Sequence, residues 1–359
     1  MKLLDRYLLK QFARNLILVL AVFLAIYLLV DFFERIDNFL DAGKDATLAV
    51  RYLLLKMPQI IEQLLPVAIL LAGVVTLGLL NHSNELAALK AGGLAITRIV
   101  APLIAGGLLC TGLALAMAQW LLPATTAAAN RIWYEEVSKE PPKGIFRNGF
   151  YFYRGEEGIY SFARPAGATD RYTKFTYAAW DNERRLTWLL FAETATWQDN
   201  RWHFSRGQIR RQADRNDFTV EAFSELSVAL PESPADLLLP AYQNTELSLG
   251  ELFEAARSTG WSGNTEAWLD FHRRLSAIFL GLPLLLAGLP MLILLHQKWG
   301  RDLSLAIPAS CGMAFAVWAA WGALDSLARA AYLHPLPAAW LVHVVVSWTG
   351  IALIRKLNR

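Results

Sequence analysis

The sequence predicts a polytopic α+β membrane protein: six transmembrane helices in two sets of three, with a strand-rich domain between the third and the fourth. Three observations predict it. Six long apolar runs divide the 359 residues; a polar, aromatic stretch from about residue 123 to 270 separates the third run from the fourth; and lysines and arginines crowd one set of run ends. Hydrophobic residues make up 55% of the chain, more than a water-soluble domain of this length carries. The net charge of +3 is small and spread along the chain, which argues against nucleic acid as a partner.

A bilayer core is crossed by about 20 apolar helical residues, and only a helix satisfies its own backbone polar groups in hydrocarbon. The spans are read at about residues 16–33, 60–80, 99–122, 275–295, 303–324 and 338–354. The first run is long and lacks a small-residue cleavage site before Asp31, so it reads as a span, not a cleaved signal. Pro66 lies inside the second span, and Pro283 and Pro290 are expected to bend the fourth. Gly73, Gly78, Gly106, Gly107, Gly281 and Gly288 suggest close helix packing. Cys110 and Cys311 sit inside apolar runs as small hydrophobes, with neither a disulfide framework nor a CxxC pair.

Orientation follows from the basic residues near span ends. One side holds Lys2, Arg6, Lys10, Arg14, Lys90, Arg98, Lys298, Arg301, Arg355, Lys356 and Arg359. The other holds Arg35, Lys44, Arg51, Lys56 and Arg329, with Arg131, Arg273 and Arg274 beside the insert. The richer side is expected to be cytoplasmic, with both termini there and the insert outside. The expected layout is residues 1–122 for the first three spans, with a short cytoplasmic helix at about 81–93; 123–270 for the β domain and its return segment; and 271–359 for the last three spans.

Within the insert, Tyr151-Phe152-Tyr153, Gly158 to Phe162 and Phe218-Thr219-Val220 have strand composition. Glu193 to Gln198 alternates, Asp199-Asn200 turns and Trp202-His203-Phe204 resumes, a hairpin; Asp181 to Arg184 reads as another turn. Many short strands point to a sandwich, a jelly roll or an open barrel. Pro231, Pro234 and Pro240 mark the exit, and an amphipathic helix at about 249–256 leads back to the membrane.

These features together resemble the lipopolysaccharide-export permease family, LptF/LptG. The resemblance is carried by Leu4-Asp5-Arg6-Tyr7 before the first span, Asp31-Phe32-Phe33-Glu34-Arg35 and Ala42-Gly43 after it, Asn84 to Gly93 between the second and third spans, and Phe271-His272-Arg273-Arg274-Leu275, with Asp270 as the preceding acid. The opening and the Asp31–Arg35 stretch look more like LptG than LptF. The resemblance implies a permease subunit in the inner membrane that extracts lipopolysaccharide and passes it to a periplasmic LptC/LptA-like bridge. It implies a β-jellyroll for the insert. It also implies an LptB-like cytoplasmic ATPase pair, which holds the ATP and Mg, and an LptF-like second permease that completes a V-shaped lipid cavity. No cofactor is expected on this chain, which has no GxxxxGK[ST] phosphate cradle.

The candidate residues follow. Glu85, with Leu86 and Leu89 on the same face of a short helix, is the expected ATPase-coupling group; Ser83 is expected to cap that helix and Gly92-Gly93 to end it. Read by its residues alone, Glu85 merely complements the helix dipole; the resemblance makes it a coupling acid. Arg35, Arg273 and Arg274 are expected to meet lipid phosphate, since guanidinium grips it with parallel hydrogen bonds; the alternative is interfacial anchoring. Where LptG relatives tend to carry lysines after the first span, this chain has Asp31, Glu34 and Asp37, three residues apart. They read first as solvated charge at the membrane boundary; they could also pair with the arginines or bridge a divalent cation to the lipid. Phe23, Tyr27, Phe32 and Phe33 on the first span, and Phe315, Trp318 and Trp321 on the fifth, are candidates to line the acyl chains, against plain packing or interface belts. Asp325, four residues after Trp321, reads as exposed. The six histidines show no ligand spacing and no metal site is expected; His343, inside the sixth span, reads as a neutral residue bonded to a neighbouring helix.

Two readings from other classes compete. A membrane enzyme would have to assemble Ser161, His203 and Asp181 without an elbow or metal motif. A receptor or mechanotransmission protein would use the insert for sensing and would need no lateral cavity.

Overall fold

The described residues form ten α-helices and seven strands, and the chain divides into a helical unit (Met1–Trp133 with His272–Arg359) and an inserted unit (Tyr134–Phe271). The computed structural model describes residues 3–138, 144–147, 150–155, 157–163, 171–180, 186–198, 201–214, 217–234, 237, 246–258, 265–299, 303–330 and 332–357. The turns expected at Asp181–Arg184 and Asp199-Asn200, Pro240, and the basic residues Lys2, Arg301 and Arg359 lie outside them.

The helices are α1 (Leu3–Asp41), α2 (Ala46–His82), α3 (Glu85–Ala91), α4 (Ile96–Ala116), α5 (Leu122–Arg131), α6 (Leu249–Ser258), α7 (Thr265–Phe279), α8 (Gly281–Trp299), α9 (Leu303–Arg329) and α10 (Pro335–Leu357). Among the described residues six stretches are long and apolar enough to cross a bilayer: Leu3–Asp41, Ala46–His82, Ile96–Tyr134, Ala267–Gln297, Leu305–Arg329 and Pro335–Leu357. The helices outrun the apolar runs. At 1.5 Å per residue, the 39 residues of α1 extend about 58 Å, far beyond the roughly 30 Å hydrocarbon layer. The polar flanks stay helical because Leu, Arg, Lys and Glu are good helix formers. α1 stops where Gly43 takes φ 71°, with Gly43 N–H bonded to Leu40 O and Lys44 N–H to Phe39 O, a Schellman cap.

Prolines shape two spans. Pro283 has no N–H for the carbonyl of Phe279, so the fourth span breaks at Leu280, between α7 and α8; Pro290 is carried inside α8. In the third span a π turn (Met117–Leu121) sits just before Pro123, which likewise gives no N–H to the carbonyl four residues back, and a second π turn (Ile132–Val137) follows α5. α2 is the central span, with 72% of its apolar window buried, against 11% for α1. α10 crosses α8 at Gly350, where a Cβ would sit 2.6 Å from the backbone of Leu286.

The inserted unit holds one antiparallel sheet in chain order: β1 (Gly144–Arg147), β2 (Phe150–Arg154), β3 (Gly158–Ala163), β4 (Arg171–Trp180), β5 (Leu186–Gln198), β6 (Arg201–Asp214) and β7 (Asp217–Val228). The expected hairpin is β5–β6, paired from Trp188–Arg211 to Gln198–Arg201. Its inner face gathers Tyr153, Tyr160, Phe162, Tyr172, Phe175, Tyr177, Trp202 and Phe204 into one aromatic core. Burial pushes the Tyr160 hydroxyl well above the ordinary tyrosine range, helped by its hydrogen bond to Glu232, and raises Tyr177 to about 12. Trp202 Nε1 donates to the Glu232 carbonyl at 2.8 Å, so the chain after β7 is pinned on the core.

A break line crosses this sheet. Lys174, Glu193, Arg206 and Ser224 lie in one row that no strand pairing includes, although the pairs on both sides keep their register. Lys174 and Arg206 have φ of 52° and 53°. Across the row the buried face changes step, from Tyr172 to Phe175, from Ala192 to Ala195 and from Phe204 to Ile209. The row is thus a local gap in the pairing, with no residue added to one strand against its partner. Beside the row, a Cβ on Gly207 would collide with the Phe191 carbonyl oxygen. α6 opens with a capping box: Ser248 N–H donates to Glu251 Oε2 at 2.8 Å, and Glu251 N–H to Ser248 Oγ at 3.2 Å.

Gly350→Ala forces α10 off the α8 backbone. The expected cost is about 1–3 kcal/mol, read as a lower thermal midpoint of the detergent-purified protein, with Gly312→Ala, where nothing lies within 4 Å, as the unaffected control.

Candidate functional site

Charged residues meet at the end of the bundle where the chain leaves for the insert. Asp31, on α1, is buried; it accepts from Arg35 Nε at 2.9 Å and from Lys56 Nζ, on α2, at 3.0 and 3.2 Å. The Arg35 guanidinium lies 4.6 Å from the centre of the Trp133 ring, and the Lys56 ammonium 5.5 Å from that of Tyr52. Phe39, Tyr52 and Trp133 pack together with ring centres 5.7–6.0 Å apart. So Asp31 is a structural anchor for two cations. Glu34 and Asp37 stay exposed, and among the described residues no three His, Cys, Asp or Glu side chains gather to hold a metal ion.

The other two arginines are also paired. Arg274, on α7, faces Glu62, on α2, at 4.0 Å, with each side chain about one-sixth exposed. Arg273 lies 3.6 Å from Asp325, on α9, which Arg329 also contacts at 3.1 Å. Asp325, expected to be exposed, has a side chain only 14% exposed, because these two arginines enclose it. Of the three arginines, Arg273 is the most open, its side chain 49% exposed.

A groove of about 530 Å³ runs along α1 and α2, lined by Phe23, Ile26, Tyr27, Val30, Asp31, Glu34 and Leu64. It is apolar along most of its length and acidic at one end. It takes in Phe23 and Tyr27 but neither Phe32 nor Phe33, whose rings meet edge to face at 5.7 Å; Phe33 points outward. On α9, Phe315 and Trp318 are exposed, but Trp321 is buried and donates from Nε1 to Ser276 Oγ on α7 at 3.1 Å. The edge of the α7–α9 contact falls between the two tryptophans, which therefore do not share a face toward lipid. His343 Nε2 meets Ser276 O at 2.8 Å, the helix-to-helix bond its place in the span suggested.

At the opposite end, α3 carries Glu85 exposed at its first position. Tyr7 Oη donates to Glu85 Oε2 at 3.0 Å and Ser83 Oγ to Glu85 Oε1 at 3.0 Å. Asp5 pairs with Arg98 at 2.7 Å, so the opening Leu4–Tyr7 stretch grips both α3 and α4. Ser83 does not cap α3: the residue there is Asn84, with φ 64°, and Ser83 closes α2 through bonds to Leu79 O and Leu80 O. Gly93, with φ 82°, ends α3 as expected. Leu86 is buried within this chain, and Leu89 is half-buried, so a partner meeting α3 finds Glu85, Ala87, Ala88 and Lys90.

Sequence reasoning missed Lys56 and Glu62 as partners. Glu62 gave a signal, an acid four residues before Pro66 at the start of an apolar run. Lys56 gave none that separates it from an ordinary flanking lysine.

The family model described as "Lipopolysaccharide export system permease LptF/LptG" matches residues 6–356. The chain belongs to this family. No curated protein matches it.

Asp31→Asn leaves Lys56 and Arg35 without their carboxylate and is expected to cost about 1–3 kcal/mol. Adding Lys56→Gln should recover part of that loss, as a double-mutant cycle on thermal stability would read.

Proposed function

We infer that this chain is the LptG-like subunit of an ATP-driven exporter, lifting lipopolysaccharide out of the inner membrane toward a periplasmic bridge. Membership of the LptF/LptG family across residues 6–356 carries this reading. A permease subunit is not a catalytic one, and its six spans make it a multi-pass inner-membrane protein. The Leu4–Tyr7 and Asp31–Arg35 stretches favour LptG over LptF.

In this reading an LptB-like ATPase docks on α3 from the cytoplasm. A seven-residue helix with an exposed acid, held at its start by Tyr7 and Ser83, suits a shallow groove on such a partner. An LptF-like permease and lipid cover the apolar outer faces; Ile17, Leu18, Val22, Ile26, Leu29 and Phe33 of α1 are all exposed. The groove takes acyl chain, and Arg273 with the Arg35–Lys56 pair lies at the level of the head group. Moving a multi-acyl lipid into water would cost about 0.8 kcal/mol per methylene, so the route has to stay apolar. The basic span ends favour cytoplasmic termini and a periplasmic insert.

Glu85→Ala should leave the subunit in the membrane and bound to its partners, yet lower lipid transfer per ATP hydrolysed by about tenfold or more, since a hydrogen bond to a charged group contributes about 1.5–3 kcal/mol. Transfer from proteoliposomes to the bridge protein, measured beside phosphate release, reads this ratio. Alkaline phosphatase fused at residue 200 is expected to be active, and a cytosolic enzyme in its place would reverse the orientation.

A further inference from the structure

Glu62 is an acid inside the second span with an unusual setting. It lies on α2, within the window between Lys56 and the buried run that begins at Leu65, and its side chain is 15% exposed. Among the described residues its ion-pair partner is Arg274 at 4.0 Å, beyond hydrogen-bond reach, and Glu62 Oε1 is buried with no hydrogen-bond partner among them. A long pair of this kind recovers little of the cost of taking the carboxylate out of water. Guanidinium does better with phosphate, which it can hold through two parallel, charge-assisted hydrogen bonds. The pair also joins α2 of the first three spans to α7 of the last three.

We propose that Glu62 is a displaceable counter-ion: it holds Arg274 until a phosphate of the lipid head group takes the guanidinium. The proposal rests on the export reading and deepens it. Arrival of the phosphate frees the carboxylate and opens the ionic link between α2 and α7, so occupancy of the head-group site is converted into freedom between the two halves. Glu62 is a positioning residue here, since it acts through Arg274. The weakness of the link is what makes it useful: a tight, hydrogen-bonded pair would resist exchange.

The test uses the purified exporter, wild type and Glu62→Gln, with lipopolysaccharide whose phosphates are intact and the same lipid after enzymatic dephosphorylation. Removing the competing carboxylate is expected to tighten binding of the intact lipid several-fold and to leave the dephosphorylated lipid unchanged. An equal shift for both lipids, or none for either, overturns the proposal, because a purely structural Glu62 does not distinguish them. The wild-type protein gives a second measurement that does not depend on the variant folding: labelling of Glu62 by a hydrophobic carbodiimide, located by mass spectrometry. Labelling should rise with the intact lipid and not with the dephosphorylated one. Labelling that ignores the lipid refutes displacement, and labelling raised equally by millimolar inorganic phosphate assigns the exchange to a free anion instead. If the wild-type complex binds neither lipid, the export reading itself falls, a result distinct from normal binding that Glu62→Gln leaves unaltered.

Discussion

Hydrocarbon offers no hydrogen bonds, and the joints between the helices follow from that constraint. Each polar group placed inside a span has to find its partner on protein. Asn15 Nδ2 donates to Thr76 Oγ1 at 2.8 Å, which joins α1 to α2, and the Thr76 hydroxyl donates in turn to Ala72 O. Ser276 collects Trp321 from α9 and, through its carbonyl, His343 from α10, which joins three of the last four helices. Asn81 meets His296 at 2.6 Å where α2 and α8 end. Such bonds contribute only about 0.6 kcal/mol on average in a membrane. Their larger effect is on register, because a helix that slides loses its partner in a medium with no substitute. Shape does the rest: Gly350 lets α10 approach the α8 backbone more closely than any side chain permits.

The inserted unit faces the opposite problem. Water can satisfy its edges, so its single sheet has to find enough apolar area to hold together. The meander alone would present a flat inner face. The unpaired row at Lys174, Glu193, Arg206 and Ser224 changes that, since every strand from β4 to β7 is interrupted at one level. The positive φ values at Lys174 and Arg206 carry a local strain. The compensation is the contact it allows between side chains from both sides of the row, with Phe175 5.1 Å from Trp202 and 5.3 Å from Phe204 between ring centres. Glu232 then closes the core through its carbonyl and carboxylate.

Much of this was legible in the sequence, and what was not has identifiable causes. Hydropathy located six spans because burying apolar surface in lipid is a sum over many residues, insensitive to any one. It understated their length, because good helix formers carry α1 and α2 on past the hydrocarbon. Pro283 announced the break in the fourth span; Pro123 announced a boundary but not the π turn it produces. Strand composition located β2, β3 and β5–β6, while the unpaired row was hidden because it depends on four strands lining up. At the site, residue type marked Asp31, Arg35, Arg273 and Arg274, yet pairing across helices could not be read along a single chain. Trp318 and Trp321 show the limit of spacing: three residues turn a helix by about 300°, which is enough to put one ring outside a contact and the other inside it.

The acids after the first span make the case most clearly. By charge alone, Asp31 at a head-group level would repel phosphate, and its presence would argue against an anionic substrate. Its geometry answers that charge. Two cations hold it, Arg35 from one turn along and Lys56 from the next helix, so the carboxylate is neutralised within the protein. At an effective dielectric of about 20, unit charges 4 Å apart interact by roughly 4 kcal/mol, so each cation this close offsets much of the acid's charge. A lysine held this way has already lost its conformational freedom. Without Asp31, Lys56 could extend away toward water; with it, the ammonium is fixed beside the Tyr52 ring, 15% exposed. An acid buried beneath two cations therefore does for this chain what a row of free lysines does by number: it holds positive charge at one place.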